Sequence, residues 1–240
     1  METRNKLYGK KILWNGDSIC AGRENHGNWS TRIAQWNQMS SYNYAVGGGT
    51  IAENLRPMLS GEPRHSVCGT LDQMYAEHPH ADYIIIEGGT NDADLMRVEC
   101  GEVPPRLGTF DLHDFSGDYD TATFCGALES IFYRAVKYWV GKKIAYIIPQ
   151  KMGYLDANVV DNRRYFFYKA IEICRKWGIP YHDLWHGCYL NPGLPWMYDS
   201  TKSADENRLE NNGFYYDGQH LTANGYDLTA DILDSWLKTL

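Results

Sequence analysis

The sequence has no apolar run near the roughly 18 residues that a membrane-spanning helix needs. Its runs are short: Tyr83-Ile84-Ile85-Ile86, for example, has the length of one buried strand. Basic residues are not in excess: 23 Lys and Arg stand against 30 Asp and Glu, a net charge of −7 over 240 residues. That balance excludes the basic footprint of a nucleic-acid binder and the polybasic patch of a membrane-surface protein. The six cysteines are Cys20, Cys68, Cys100, Cys125, Cys174 and Cys188, and no pair has CxxC spacing. Neither a zinc ribbon nor a thioredoxin-type motif is expected. They read as free thiols, because a domain of this size does not need disulfide staples. Internal repeats and low-complexity tracts are lacking, and no hydrophobic stretch of signal-peptide length follows Met1. A cytoplasmic protein is expected, or a secreted one if a leader has been removed.

What is present points to a folded enzyme-sized chain. At 43% hydrophobic and 22% charged residues it is not disordered, and its length suits a single domain over residues 1–240. Short apolar runs alternate with longer amphipathic stretches. Strands are expected at residues 11–15, 42–46, 83–87, 144–149 and 180–184, and helices at 29–39, 50–59, 70–78, 122–139, 161–177 and 222–238. The last three strands are nearly continuously apolar, which signals burial on both faces of a parallel sheet. The expected fold is α/β: a three-layer α/β/α sandwich around a five-stranded parallel sheet. Residues 97–121 and 188–216 read as long loops, which in a compact domain are often functional.

Ligands of such sheets bind beyond the carboxyl ends of the strands, so the residues after each strand matter most. Gly16-Asp17-Ser18-Ile19 follows the first, Gly47-Gly48-Gly49-Thr50 the second and Gly88-Gly89-Thr90-Asn91-Asp92 the third. Asp217-Gly218-Gln219-His220 precedes the last helix. Ser18 is a weak nucleophile until a base takes its proton, and His220 is the natural base, because imidazole titrates near neutral pH. Asp217, three residues earlier, shares a helical face with His220 and can hold its Nδ1–H. A tetrahedral oxyanion needs preorganised donors, and the N–H groups of Ser18 and Gly48 with the Asn91 amide could supply them. Gly47 or Gly49 could take the place of Gly48 if the register shifts by one. Asp17 and Asp92 suit caps and turns.

These four blocks, GDSI, GGGT with Asn43 five residues before Gly48, GGTND and DGQH, resemble those of the SGNH hydrolases, also called the GDSL esterase/lipase family. They occur in that family's order and span Gly16 to His220. Ile19 stands where the family name has leucine, which leaves an apolar residue there. The resemblance implies a flavodoxin-like sandwich. It assigns Ser18 as nucleophile, Gly48 and Asn91 as oxyanion donors with the Ser18 N–H, and Asp217 and His220 as the rest of a triad. The implied activity is hydrolysis of small carboxylic esters through an acyl-enzyme, with O-deacetylation of a carbohydrate as one form. An acyltransferase using the same triad and an inactive carbohydrate-binding protein on the same fold are the alternatives. The implied partner is a small-molecule or carbohydrate ester, with no nucleic acid and no membrane.

No metal or organic cofactor is expected. The glycine-rich turns lack the Walker lysine, and no GxGxxG follows a strand. His182 and His186 lie four apart at a strand end, which is not a helix face. Of the 18 Tyr and 8 Trp, most should be core. Trp196, Tyr198 and Tyr215 lie on the stretch leading into Asp217 and are candidate substrate-binding residues. Phe110 and Tyr119, on the other long loop, are candidate walls of the site. His26 reads as a surface histidine near a helix start.

Overall fold

The computed structural model describes residues 5–23, 26–53, 65–93, 107–153, 163–209 and 213–240. Its strands are β1 (Lys11–Asn15), β2 (Ser40–Asn43), β3 (Tyr83–Glu87), β4 (Lys143–Ile148) and β5 (Tyr181–Asp183). The helices are α1 (Ser18–Ala21), α2 (Trp29–Asn37), α3 (Val67–Glu77), α4 (Phe124–Tyr138), α5 (Arg163–Trp177), α6 (Leu184–Gly187), α7 (Ala204–Leu209) and α8 (Ala223–Leu237). All strand pairs are parallel, in the order β2-β1-β3-β4-β5.

Side-chain alternation along the strands builds two cores. Leu13, Ile84, Ile86, Tyr146 and Ile148 pack on one face, with Leu71, Phe132 and Phe166 from α3, α4 and α5. Ile12, Trp14, Ile85 and Ile147 pack on the other, with Ile33 and Leu233 from α2 and α8. This is the three-layer α/β/α sandwich. Helices α2, α3, α4 and α8 begin at side-chain caps: Asn28, Ser66, Thr123 and Thr222 each accept a bond from the N–H three residues on.

Some expected elements shift. The second strand forms at Ser40–Asn43 rather than 42–46. It is a largely exposed edge strand, so its polar residues carry no apolar signal. The helix expected at 50–59 does not begin at Thr50. Thr50 instead pairs in parallel with Ser66, its N–H donating to His65 O at 2.9 Å and its carbonyl accepting from Val67 N at 2.8 Å; residues 54–59 lie outside the described residues. The loop expected at 188–216 contains α7. Its start is a capping box, with Ser203 N donating to Glu206 Oε2 at 2.8 Å and Glu206 N to Ser203 Oγ at 3.3 Å.

The strand order places a switch between β1 and β3. The chain leaves β1 towards β2 on one side, and β3, β4 and β5 build outward on the other. In open parallel sheets such a switch point is where a ligand crevice is expected, here beyond the carboxyl ends of β1 and β3. Ser18 follows β1 and Asn91 follows β3.

Candidate active site

Asp17 ends the turn after β1. Its carboxylate caps α1 by accepting from Ile19 N at 2.8 Å, and Ser18 opens that helix. The turn is braced from beneath. Glu87, fully buried at the end of β3, accepts Asp17 N–H on Oε2 at 3.1 Å. A Cβ on Gly16 would come within 2.5 Å of that oxygen, so position 16 has no room for a side chain. Burial, with the charge of Asp17 nearby, pushes the Glu87 carboxyl well above the usual range. Tyr226 of α8 donates its hydroxyl to Ile19 O at 2.8 Å, and Asn43 donates to Cys20 O at 3.0 Å.

His220 reaches this turn from the opposite end of the chain. Its Nε2 lies 2.9 Å from Ser18 Oγ, and its Nδ1–H donates to Asp217 Oδ2 at 2.7 Å. The other carboxylate oxygen, Oδ1, accepts the N–H groups of His220 at 2.7 Å and Gln219 at 3.0 Å. Burial pushes the Asp217 carboxyl up, but these bonds and the imidazole outweigh it and hold the group below the usual carboxylate range. Gln150, beyond β4, donates to Gln219 O at 2.9 Å and fixes the DGQH segment to the sheet.

The glycine-rich second block closes over Ser18. Gly49 N–H donates to Val46 O at 2.9 Å, making a four-residue turn whose third residue, Gly48, has φ +77°. That is the position at which such a turn selects glycine. A Cβ on Gly47 would lie 3.9 Å from Ser18 Cβ, which measures how closely the turn approaches the nucleophile. Asn91 Nδ2 donates to Gly49 O at 2.9 Å, so the third block holds the second. Asp92 completes the brace, accepting the N–H groups of Ile51 and Ala52 at 2.8 and 2.9 Å. Of the sequence-selected residues, Ser18, Gly48, Asn91, Asp217 and His220 thus gather at the crevice.

The aromatic candidates divide. Tyr198 packs its ring on Gly218, where an added Cβ would meet it at 3.0 Å, and burial together with the Asp217 carboxylate raises its phenol. Trp196 is 67% exposed. Tyr215 is a correction: it is fully buried among the residues of α2 and α8, with its hydroxyl donating to Lys151 O, and it presents no surface to a ligand. Phe110 and Tyr119 are also displaced from the site. Phe110 lies under Lys169 of α5, and Tyr119 packs edge-on to Trp177 and Tyr133. Trp177 ends α5, at the edge of the sheet opposite the crevice.

Three further side chains complete the surroundings. His26 is buried rather than surface-lying and stacks on Tyr216 at 5.8 Å between centroids. Tyr216 in turn faces the His220 ring at 5.9 Å. The Arg23 guanidinium lies over Tyr216, 4.4 Å from its centroid. No spacing rule links residues 23 and 26 to residue 220, so neither stands out in the sequence; Arg23 and His26 are marked only by following the nucleophile closely.

The crevice, the strand order and the two helical layers are those of the SGNH-hydrolase fold. The chain superposes on a protein described as a GDSL-like lipase from Bacteroides ovatus with TM-score 0.62 and 15% identity, over 97% of this chain and 99% of that one. A carbohydrate acetylesterase family member from Sinorhizobium meliloti gives 0.61 and 15%, over 96% and 98%. The native aryl esterase of M. smegmatis gives 0.59 and 17%, over 97% and 100%. No family model matches the sequence, and no curated protein matches it.

Proposed function

We propose that this chain is a serine esterase of the SGNH type that hydrolyses small carboxylic esters, with acetyl esters of polar or sugar alcohols as the preferred class. The observation that carries the reading is the unbroken relay from Ser18 Oγ to His220 Nε2 at 2.9 Å and from His220 Nδ1 to Asp217 at 2.7 Å.

The relay supports a two-step acyl transfer. Ser18 Oγ attacks the ester carbonyl while His220 Nε2 takes its proton. Asp217 fixes the tautomer and stabilises the imidazolium. The carbonyl oxygen becomes an oxyanion facing the Ser18 and Gly48 N–H groups and Asn91. The Asn91 amide has two hydrogens; one goes to Gly49 O, and the other is available to the oxyanion. His220 then gives its proton to the leaving alcohol, and a water activated by the same imidazole cleaves the acyl-serine. The carbohydrate acetylesterase and the aryl esterase that share this fold support an ester substrate.

The test combines an active-site label with a substrate panel. A fluorophosphonate should modify wild-type protein and leave Ser18→Ala unmodified, and esters of increasing acyl length should be cleaved best at acetyl. Equal labelling of both proteins overturns the nucleophile. A preference for long acyl chains overturns the substrate class.

A further inference from the structure

The Arg23 side chain has no part in the relay, yet it touches it. Nη2 lies 3.5 Å from His220 Nδ1. Nδ1–H is already given to Asp217, and guanidinium nitrogens only donate, so this approach places a cation against the imidazole without a bond to it. The backbone holds Arg23 there: its carbonyl accepts from Gly27 N at 2.8 Å and its N–H donates to Gly27 O at 3.3 Å. The guanidinium carbon lies 4.4 Å from the centre of the Tyr216 ring, a cation–π contact that helps hold it there. Among the described residues no carboxylate forms an ion pair with it, and the side chain is exposed at the mouth of the crevice. Asp217, the carboxylate of the relay itself, is engaged by His220 and two backbone N–H groups.

A cation in this place has a cost for ester hydrolysis. It opposes the imidazolium that forms as Ser18 attacks. An anion bound to the guanidinium removes that opposition, and the leaving alcohol is the part of the substrate that must approach His220 to receive its proton. We infer that Arg23 selects esters whose alcohol part carries a carboxylate. The planar fork of the guanidinium matches a carboxylate with two parallel bonds, and a single guanidinium matches a single negative charge. The inference rests on the esterase reading and adds the alcohol's chemistry to it.

Two esters of nearly equal shape isolate the effect: 3-acetoxybenzoate and its neutral amide, 3-acetoxybenzamide. The quantity to read is the ratio of their kcat/KM values. Wild-type protein should favour the benzoate by about tenfold, the scale of one charge-assisted pair. In Arg23→Gln the ratio should fall to about 1, and in Arg23→Lys, which keeps charge but loses the fork, it should lie between. A wild-type ratio of about 1 or less, or a wild-type ratio retained in Arg23→Gln, overturns the inference. Equal hydrolysis of both esters with Ser18 still labelled by fluorophosphonate would remove the role of Arg23 and leave the esterase. Hydrolysis of neither, with Ser18 unlabelled by fluorophosphonate, would remove both.

Discussion

Ser18 is half-buried and touches His220, and its hydroxyl braces no element of the fold. Ser18→Ala should therefore lower kcat by at least ~10³-fold while changing stability by no more than about 0.5 kcal/mol, checked by ester hydrolysis beside urea unfolding. Asp217 makes a second, pH-dependent prediction. Its folded carboxyl is held low, so it stabilises the fold above the ordinary carboxylate pKa, and that stability is lost as pH falls through the folded value. Asp217→Asn should flatten the acid end of the stability profile, below about pH 4. It should also lower kcat at neutral pH, because an amide does not hold the imidazole in the required tautomer.

The turns that carry these residues are held by buried carboxylates, and the bracing can be measured. Asp92 accepts the N–H groups of Ile51 and Ala52, directly after the GGGT segment, and burial pushes its carboxyl up to about 7. A folded pKa above the unfolded one means that the folded chain binds the proton more tightly. The associated stability is present at low pH and declines as pH rises from about 4 towards 7. Asp92→Asn should shrink that decline, seen by urea unfolding at pH 5 and 7.5. Its NH₂ would also face one of the two donors, at a cost of about 1–3 kcal/mol. Between α4 and α5, Lys176 pairs with Glu129, with side chains 1% and 2% exposed. Glu129 also accepts from Trp177 Nε1 at 2.9 Å. Lys176→Ala leaves that carboxylate buried without its cation and should cost about 3–5 kcal/mol of stability, while the folded fraction keeps its activity. Other elements show what the sequence discloses. β1 and β3 fall on the expected residues because the expected apolar runs are buried on both faces. β2 slides by two residues because an exposed edge strand has no such signal. Tyr215 and Phe110 misled because a loop has no period to say which side chains turn inward. The four motif blocks were legible because each follows a strand or precedes a helix; Arg23 and His26 depend on contacts across some two hundred residues.

Taken together, the two cores leave little reactive surface to sulfur reagents. Cys20, Cys68, Cys125, Cys174 and Cys188 are free and buried, and burial raises their thiols, Cys68 to about 11 and Cys125 to about 12. Cys100 lies outside the described residues. Titration with a thiol reagent at pH 8 should modify no more than one cysteine in the native protein and six after denaturation. Two or more reactive native thiols would contradict the burial described. Among the described residues no helix is long and apolar enough to cross a membrane.

Ser18 and His220 stand 202 positions apart, and the contacts that seat them are similarly remote: Tyr226 to Ile19 across 207, Trp29 to Thr229 across 200. A ribosome thus makes the Ser18 hydroxyl some two hundred residues before the imidazole that faces it. Until residue 220 has emerged, the nascent polypeptide holds Ser18 without that neighbour. Under the proposed mechanism, a copy that stops short of His220 leaves esters intact.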